Sequence, residues 1–231
     1  KTLELQYMLE QNKDNSNIFL VDKNPTYYIW DYNLHLQIPG TKQEPYPVQC
    51  GAIQVDGVAA EFNIHPTETA DEFLYNINVV MTTLGDIIRD KSEDYILVSE
   101  PTAVFDKDYF ESLPEEVRQL GCKPDYNAYT GKENYPPETT ETFRTGAGHV
   151  HIGFTEFADI YDPDHIRVCR ELTKQLDTAL YYPSLSWDKD TKRRTLYGKM
   201  GSFRPKHYGV EYRPLSNSFL KDPELIKFVF N

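Results

Sequence analysis

Apolar residues recur at three- and four-residue steps through Phe73, Ile77, Val80, Leu84 and Ile87 or Ile88, which predicts an amphipathic helix opened by a capping box of Thr69 and Glu72. A second stripe, Ile166, Cys169, Leu172, Leu176 and Leu180, predicts another long helix, with Asp162 as N-cap and Pro163 at its first position. Elsewhere the period falls to two. "LELQYML", "NIFLVD" and "DYILVS" predict strands, and "PTYYIWDYNLHLQI" continues in β-prone residues. "GAIQVDGVAAEFNI" reads as a hairpin in which Asp56-Gly57 supplies the positive φ angles of a tight turn. Two brief helices are expected between Asp106 and Leu120, a return to strands over "RRTLYGKMGSFRPKHYGVEYRPLS", and a closing helix at "DPELIKFVF". Prolines mark "PGTKQEPYPVQ" as a loop, and the polar residues 131–143 read as a mobile loop of the kind that serves as a lid beside a site.

Strands interrupted by a few long helices predict an α+β fold, a mainly antiparallel sheet covered by helices on one face, in one domain spanning residues 1–231. A chain of 231 residues, 39% hydrophobic and 26% charged, suffices for a substantial core and is not of disordered composition. The formal net charge of −12 argues against nucleic acid as a partner. Cys50, Cys122 and Cys169 are odd in number and form no CxxC spacing, so neither a disulfide framework nor a thiolate metal site is indicated. No apolar run approaches the roughly 18 residues of a membrane span, and "KTLELQYMLEQNKD" lacks the apolar region of a signal peptide. A soluble protein of a reducing cytoplasm, without a membrane partner, is expected.

Residues i and i+2 of a strand project from one face. "GHVHIG" therefore pairs His149 with His151, and the same spacing pairs Glu4 with Gln6, Glu61 with Asn63, and Glu211 with Arg213. Their apolar neighbours Leu5, Phe62, Val150, Ile152, Val210 and Tyr212 take the opposite face. One such pair alone is an ordinary solvated strand face; four together point to a functional one. Gly146, Gly148, Gly153 and Gly209 around these residues read as room for a ligand's close approach.

Carboxylates with an imidazole suit Mg²⁺ or Mn²⁺, ions that commonly bridge phosphate oxygens. Between Lys189 and Arg213 the chain also carries eight cationic side chains, Lys189, Lys192, Arg193, Arg194, Lys199, Arg204, Lys206 and Arg213, against Asp190 and Glu211. In an acidic protein such an island is either a solvated face or a polyphosphate site.

"RTGAGHVHIGF", "AEFNI" and "GVEYRPLSN" resemble motifs of the carboxylate-amine ligases with a glutamine-synthetase-like fold, and "GCKPDYNAYT" and "YGKMGSFRPKHYGVEYR" are similar to the small phage branch of that superfamily. The resemblance implies a curved antiparallel sheet, helices on its convex face, and ATP with Mg²⁺ or Mn²⁺ on the concave one. It also implies metal ligands at Glu61, His149 and Glu211; because Gln6 puts an amide where the family has a second carboxylate, either Glu4 serves as the first-strand ligand or one metal site is weakened. Arg213 would contact the transferring phosphate, Arg144 and Arg204 would clamp phosphate or substrate, and Asn63, His151, Lys199 and Lys206 would line the nucleotide site.

The implied chemistry converts a carboxylate to an acyl phosphate at the expense of ATP, after which an amine displaces phosphate to form an amide. Asp125 could deprotonate the amine, or could be a turn residue after Pro124. An amino acid, a peptide, a protein side chain or a cell-wall fragment would each serve as substrate. Two other readings stand beside this one. "HVHIGFTE" resembles the HxHxxxxE motif of cupins, in which His149, His151 and Glu156 would hold a single metal. A phage protein that kept the fold and lost the chemistry is the other, with Gln6 as its mark.

Overall fold

A two-residue turn at Gly57-Val58, with Gly57 at a φ of 57°, closes the hairpin between strands β3 (Gly51–Asp56) and β4 (Ala59–Ile64). The computed structural model describes residues 16–22, 38–91, 95–118, 124–135, 142–156 and 158–231. The expectations for Glu4, Gln6 and the β-prone run 25–37 lie outside them. Around that hairpin, β1 (Ser16–Asp22), β2 (Tyr46–Val48) and β5 (Tyr95–Val98) complete a five-stranded antiparallel sheet in the order β2-β3-β4-β1-β5. β2 falls within the stretch expected to be a loop. Pro45 and Pro47 are tolerated there because β2 is an edge strand, where a missing N–H costs no ladder bond.

The expected capping box opens helix α1 (Ala70–Lys91), with the Glu72 amide donating to Thr69 Oγ1 at 3.2 Å. Its stripe Phe73, Ile77, Val80, Leu84 and Ile88 is buried against β3, β4 and β5. Each such side chain contributes roughly 1.5–3 kcal/mol by leaving water. β6 (Thr102–Val104) and β9 (Phe143–Thr145) form a separate two-stranded ladder. Between those two strands lie the two expected short helices, α2 (Lys107–Ser112) and α3 (Glu115–Arg118), and strands β7 (Asp125–Asn127) and β8 (Glu133–Asn134). β8 belongs to the stretch expected to be a loop, and its pairing with β7 orders that end of it.

The second sheet runs β10-β12-β11-β7-β8, all antiparallel, with β10 (Val150–Gly153), β11 (Ser202–Lys206) and β12 (Gly209–Tyr212). Helix α4 (Pro163–Leu176) packs on β11 and β12. It starts as the sequence predicts, with Asp162 accepting from the Asp164 and His165 amides, and continues through a π turn, Asp177–Tyr181, into Tyr182–Ser184. "RRTL" is helical rather than extended: Asp190 accepts from the Arg193 amide and caps α5 (Thr191–Leu196). The closing helix α6 (Pro223–Phe230) lies against α1, with the Phe73 and Phe230 ring centroids 5.5 Å apart.

The fold is thus α+β with antiparallel sheets. Among the described residues it holds two five-stranded sheets, so Glu61 and Asn63 lie in the first and the His149 and Glu211 pairs in the second. The apolar layer is shared: Ile53, Phe62 and Ile64 from one sheet join Val150, Ile152, Phe203, Val210 and Tyr212 from the other in a single buried cluster.

Candidate active site

Glu211 sits in the middle of β12 and is 1% exposed. The register sets His151 on β10 opposite it from one side and Arg204 on β11 opposite it from the other, so all three project from one face of the sheet. Val210 and Tyr212, its neighbours in the chain, turn into the apolar core, which carries out the expected division of faces.

Cations converge on the Glu211 carboxylate. Arg213 Nη1 donates to Oε1, Lys206 Nζ lies 2.6 Å from Oε2, and Arg204 Nη1 lies 3.5 Å from both oxygens. His149, one residue ahead of β10, brings Nδ1 to 3.3 Å from Glu211 Oε1 and to 3.3 Å from Arg213 Nη1. Burial alone would raise the Glu211 carboxyl, but the Arg213 guanidinium, with Lys206, holds it well below its ordinary range. Burial, reinforced by Arg213, holds the His149 imidazole well below its usual value against the pull of Glu211, so it is neutral at pH 7.

Arg213 is gripped from its other side by Asp125, whose Oδ2 accepts from Nε at 3.1 Å. Asp125 also accepts from Asn134 Nδ2 at 2.8 Å, across the β7–β8 ladder. Burial raises the Asp125 carboxyl, while Arg213 and Asn134 pull it back. Among the residues proposed from sequence, the structure therefore brings together Asp125, His149, Arg204, Lys206, Glu211 and Arg213. His151 joins them by register and bonds the Tyr208 hydroxyl through Nδ1.

Others have different surroundings. Arg144 on β9 donates to the Phe143 and Arg118 carbonyls and lies 4.5 Å over the Phe110 ring. Lys199 is exposed. Glu61 is buried on β4, where Gln54 Nε2 donates to its Oε2 at 2.7 Å, and Asn63 is 2% exposed with an Oδ1 that has no hydrogen-bond partner among the described residues. The basic island divides. Arg193, 1% exposed, donates to the Pro214 and Arg213 carbonyls, with burial pulling its guanidinium down to about 10. Arg194 is paired with Asp188. His165 is structural, its Nε2 2.9 Å from the Lys206 carbonyl.

Three of the glycines read as ligand clearance, Gly146, Gly148 and Gly209, have close neighbours in the protein itself. A Cβ at Gly146 would lie 2.4 Å from Asn217 Nδ2, and one at Gly148 would lie 2.3 Å from the Phe219 ring. Gln54, Asn134 and Tyr208 were not singled out from the sequence. The turn read at Asp56-Gly57 would have set Gln54 opposite Ala59; the observed turn, one residue later at Gly57-Val58, sets it opposite Glu61.

Among the described residues no group of three or more His, Cys, Asp and Glu is arranged to hold a metal ion, and this includes His149, His151 and Glu156. Glu156 is exposed, and the chain after β10 goes on to α4. Glu211 and His149 are donors of the type a divalent cation takes, but Arg213, Lys206 and Arg204 hold the Glu211 oxygens and Glu61 and Asn63 lie on β4 of the other sheet, so the described residues do not gather Glu61, His149 and Glu211 into one metal-holding group.

Comparison with known proteins supports one class, a carboxylate-amine ligase. Residues 138–231, somewhat under half of the chain, match the family described as phage phiEco32-like COOH.NH2 ligase, type 2. That stretch carries β9 to β12 and hence His149, His151, Arg204, Lys206, Glu211 and Arg213, so the resemblance read in the sequence holds for the part of the chain that builds most of the site. No curated protein matches the chain, and no solved structure does. No helix among the described residues is long and apolar enough to cross a membrane.

Proposed function

We propose that the protein is an ATP- and divalent-metal-dependent ligase that joins a carboxylate to an amine through an acyl phosphate, using the polar face of the β10-β12-β11-β7-β8 sheet. The observation that carries this reading is the convergence of Arg204, Lys206, Arg213 and a neutral His149 on one buried carboxylate, Glu211, within the stretch matched to the ligase family. Three cations against Glu211 and Asp125 leave a positive excess, which favours a polyanionic substrate such as the ATP triphosphate.

His149 and Glu211, with Glu61, would hold Mg²⁺ or Mn²⁺, which would neutralise phosphate charge when bound. The Arg213 guanidinium, fixed between Asp125 and Glu211, is pre-organised to stabilise negative charge on a transferring phosphoryl group. Arg204 and Lys206 would bind the remaining phosphate oxygens, and His151, Asn63 and Lys199 are assigned to the rest of the nucleotide. Asp125, raised by burial, is suited to accept a proton from the amine. Arg144 is left as a substrate contact on the β6–β9 side. A funnel-shaped curved sheet and a cytoplasmic setting accompany this reading.

The test is ADP release, with Mg²⁺ present, screened against pools of carboxylates and amines, with product masses read directly. The reading expects ADP in proportion to a new amide whose mass is that of acid plus amine less water. Release of pyrophosphate and AMP in place of ADP and phosphate would contradict the acyl phosphate.

A further inference from the structure

The polar face of the second sheet extends past Glu211 to the sheet's edge. His151 stands opposite Glu211 and Glu211 opposite Arg204; one register step past the Phe203–Tyr126 pair sets Arg204 beside Asp125, and Asp125 stands opposite Asn134 on β8. One row of polar residues thus crosses all five strands and finishes on the edge strand. Asn134 Nδ2 donates to Asp125 Oδ1 at 2.8 Å and lies 3.4 Å from Ser202 Oγ. Asp125 Oδ2 accepts from Arg213 Nε at 3.1 Å, so the two carboxylate oxygens have different partners.

β8 has two residues, too few to secure an edge by ladder bonds alone. The turn before it is fastened instead: Asn127 Oδ1 accepts from the Tyr129 and Thr130 amides, Gly131 takes a φ of 69°, and Arg170 of α4 donates to the Ala128 carbonyl at 2.8 Å. Asn134 is therefore held in place independently of Asp125. The terminal torsion of an aspartate is broad, so one bond to Arg213 would leave the carboxylate free to turn; a donor on the other oxygen stops it.

Resting on the reading of Asp125 as the group that receives the amine's proton, we propose that Asn134 is a positioning residue of that site, holding the Asp125 carboxylate in the orientation that both clasps Arg213 and faces the amine. Each oxygen keeps a second lone pair, and the Asp125 side chain is 14% exposed, which leaves it reachable. The groups facing Asp125 are Arg213 from β12, Arg204 from β11 and Asn134 from β8; burial raises its carboxyl and these three pull it back. Asp125 keeps Arg213 when Asn134 is replaced, so the variants below leave no buried charge without a partner.

The experiment follows the Asp125 carboxyl of the full chain by ¹³C NMR through a pH titration, the signal being assigned by its loss in Asp125→Asn. Asn134→Leu removes a donor to the charged form and should move the midpoint up by about one unit, and Asn134→Asp, which adds a like charge, should move it further. Ser202→Ala leaves the bond from Asn134 to Asp125 intact and should titrate like the wild type. The Arg213 Nε proton should exchange with water about tenfold faster in Asn134→Leu, the scale of losing one hydrogen bond's support. In the ADP-release assay with the amine pool, the acid limb of the rate should shift in Asn134→Leu by the same amount as the carboxyl. With hydroxylamine in place of the pool it should not, because hydroxylamine is largely unprotonated at neutral pH and needs no base. An unmoved carboxyl midpoint in both Asn134 variants, or unchanged exchange at Arg213, would overturn the positioning role and leave Asp125 standing as the base. A carboxyl that shifts while the acid limb with the amine pool stays in place would remove Asp125 as the base, and with it the reading on which the proposal rests.

Discussion

Arg213 is the side chain on which most of the site turns. Its guanidinium touches Asp125 through Nε and both Glu211 and His149 through Nη1. A lysine ammonium is a point charge and cannot keep these three directions at once. Arg213→Lys should therefore lower ADP-forming turnover by about 100-fold, the scale of losing a donor to a developing charge, while affinity for a nonhydrolysable ATP analogue changes far less. Steady-state turnover and analogue titration on the same preparation separate the two effects, and a neutral substitution would remove Arg213 from the reaction. At this scale the sequence was informative where strand alternation applies. The i, i+2 rule assigned faces to His149, His151, Glu211 and Arg213 because Val150, Ile152, Val210 and Tyr212 have to be buried. It was uninformative for the basic island, because linear charge density does not distinguish Arg193, turned inward onto main-chain carbonyls, from Lys206, turned onto Glu211.

The elements that hold this face in place are the hairpin of β11 and β12 and the helix behind it. Tyr212, between Glu211 and Arg213, points away from the site, and its hydroxyl donates to Asp177 Oδ1 at 2.9 Å in the π turn that ends α4. Asp177 is 0% exposed, and burial raises its carboxyl above 3.8 despite the hydroxyls and the Gly201 amide that pull it down. An acid raised in the fold binds its proton more readily there than in the unfolded chain. Its contribution thus favours folding below the unfolded value and is lost as pH rises through the folded one. Asp177→Asn cannot titrate but retains an oxygen for Tyr212. Its melting temperature relative to wild type should climb as pH is raised from acid toward neutrality, and a pH-independent difference would contradict the raised carboxyl. The helix stripes and caps were legible because 3.6-residue periodicity and N-cap chemistry are local. The π turn and the division into two sheets were not, since strand order depends on contacts between residues far apart in the chain. The short β2 and β8 were hidden by the prolines and polar residues around them, which edge strands tolerate.

The whole molecule carries a formal net charge of −12, yet the buried Glu211 carboxylate is surrounded by Arg204, Lys206 and Arg213. An acidic body with a basic concentration at one site repels polyanions in general and accepts one where donors are already arranged. The shared core explains how that arrangement persists: both sheets and helices α1, α4 and α6 contribute to one buried cluster behind the polar faces. The central claim is that a metal-nucleotide complex binds there. Calorimetric titration with a nonhydrolysable ATP analogue tests it most directly, run with Mg²⁺ and again with EDTA, on the wild type and on Glu211→Gln. The account predicts binding that requires Mg²⁺ and is lost in Glu211→Gln. Equal affinity in Mg²⁺ and EDTA, or full binding by Glu211→Gln, would contradict it.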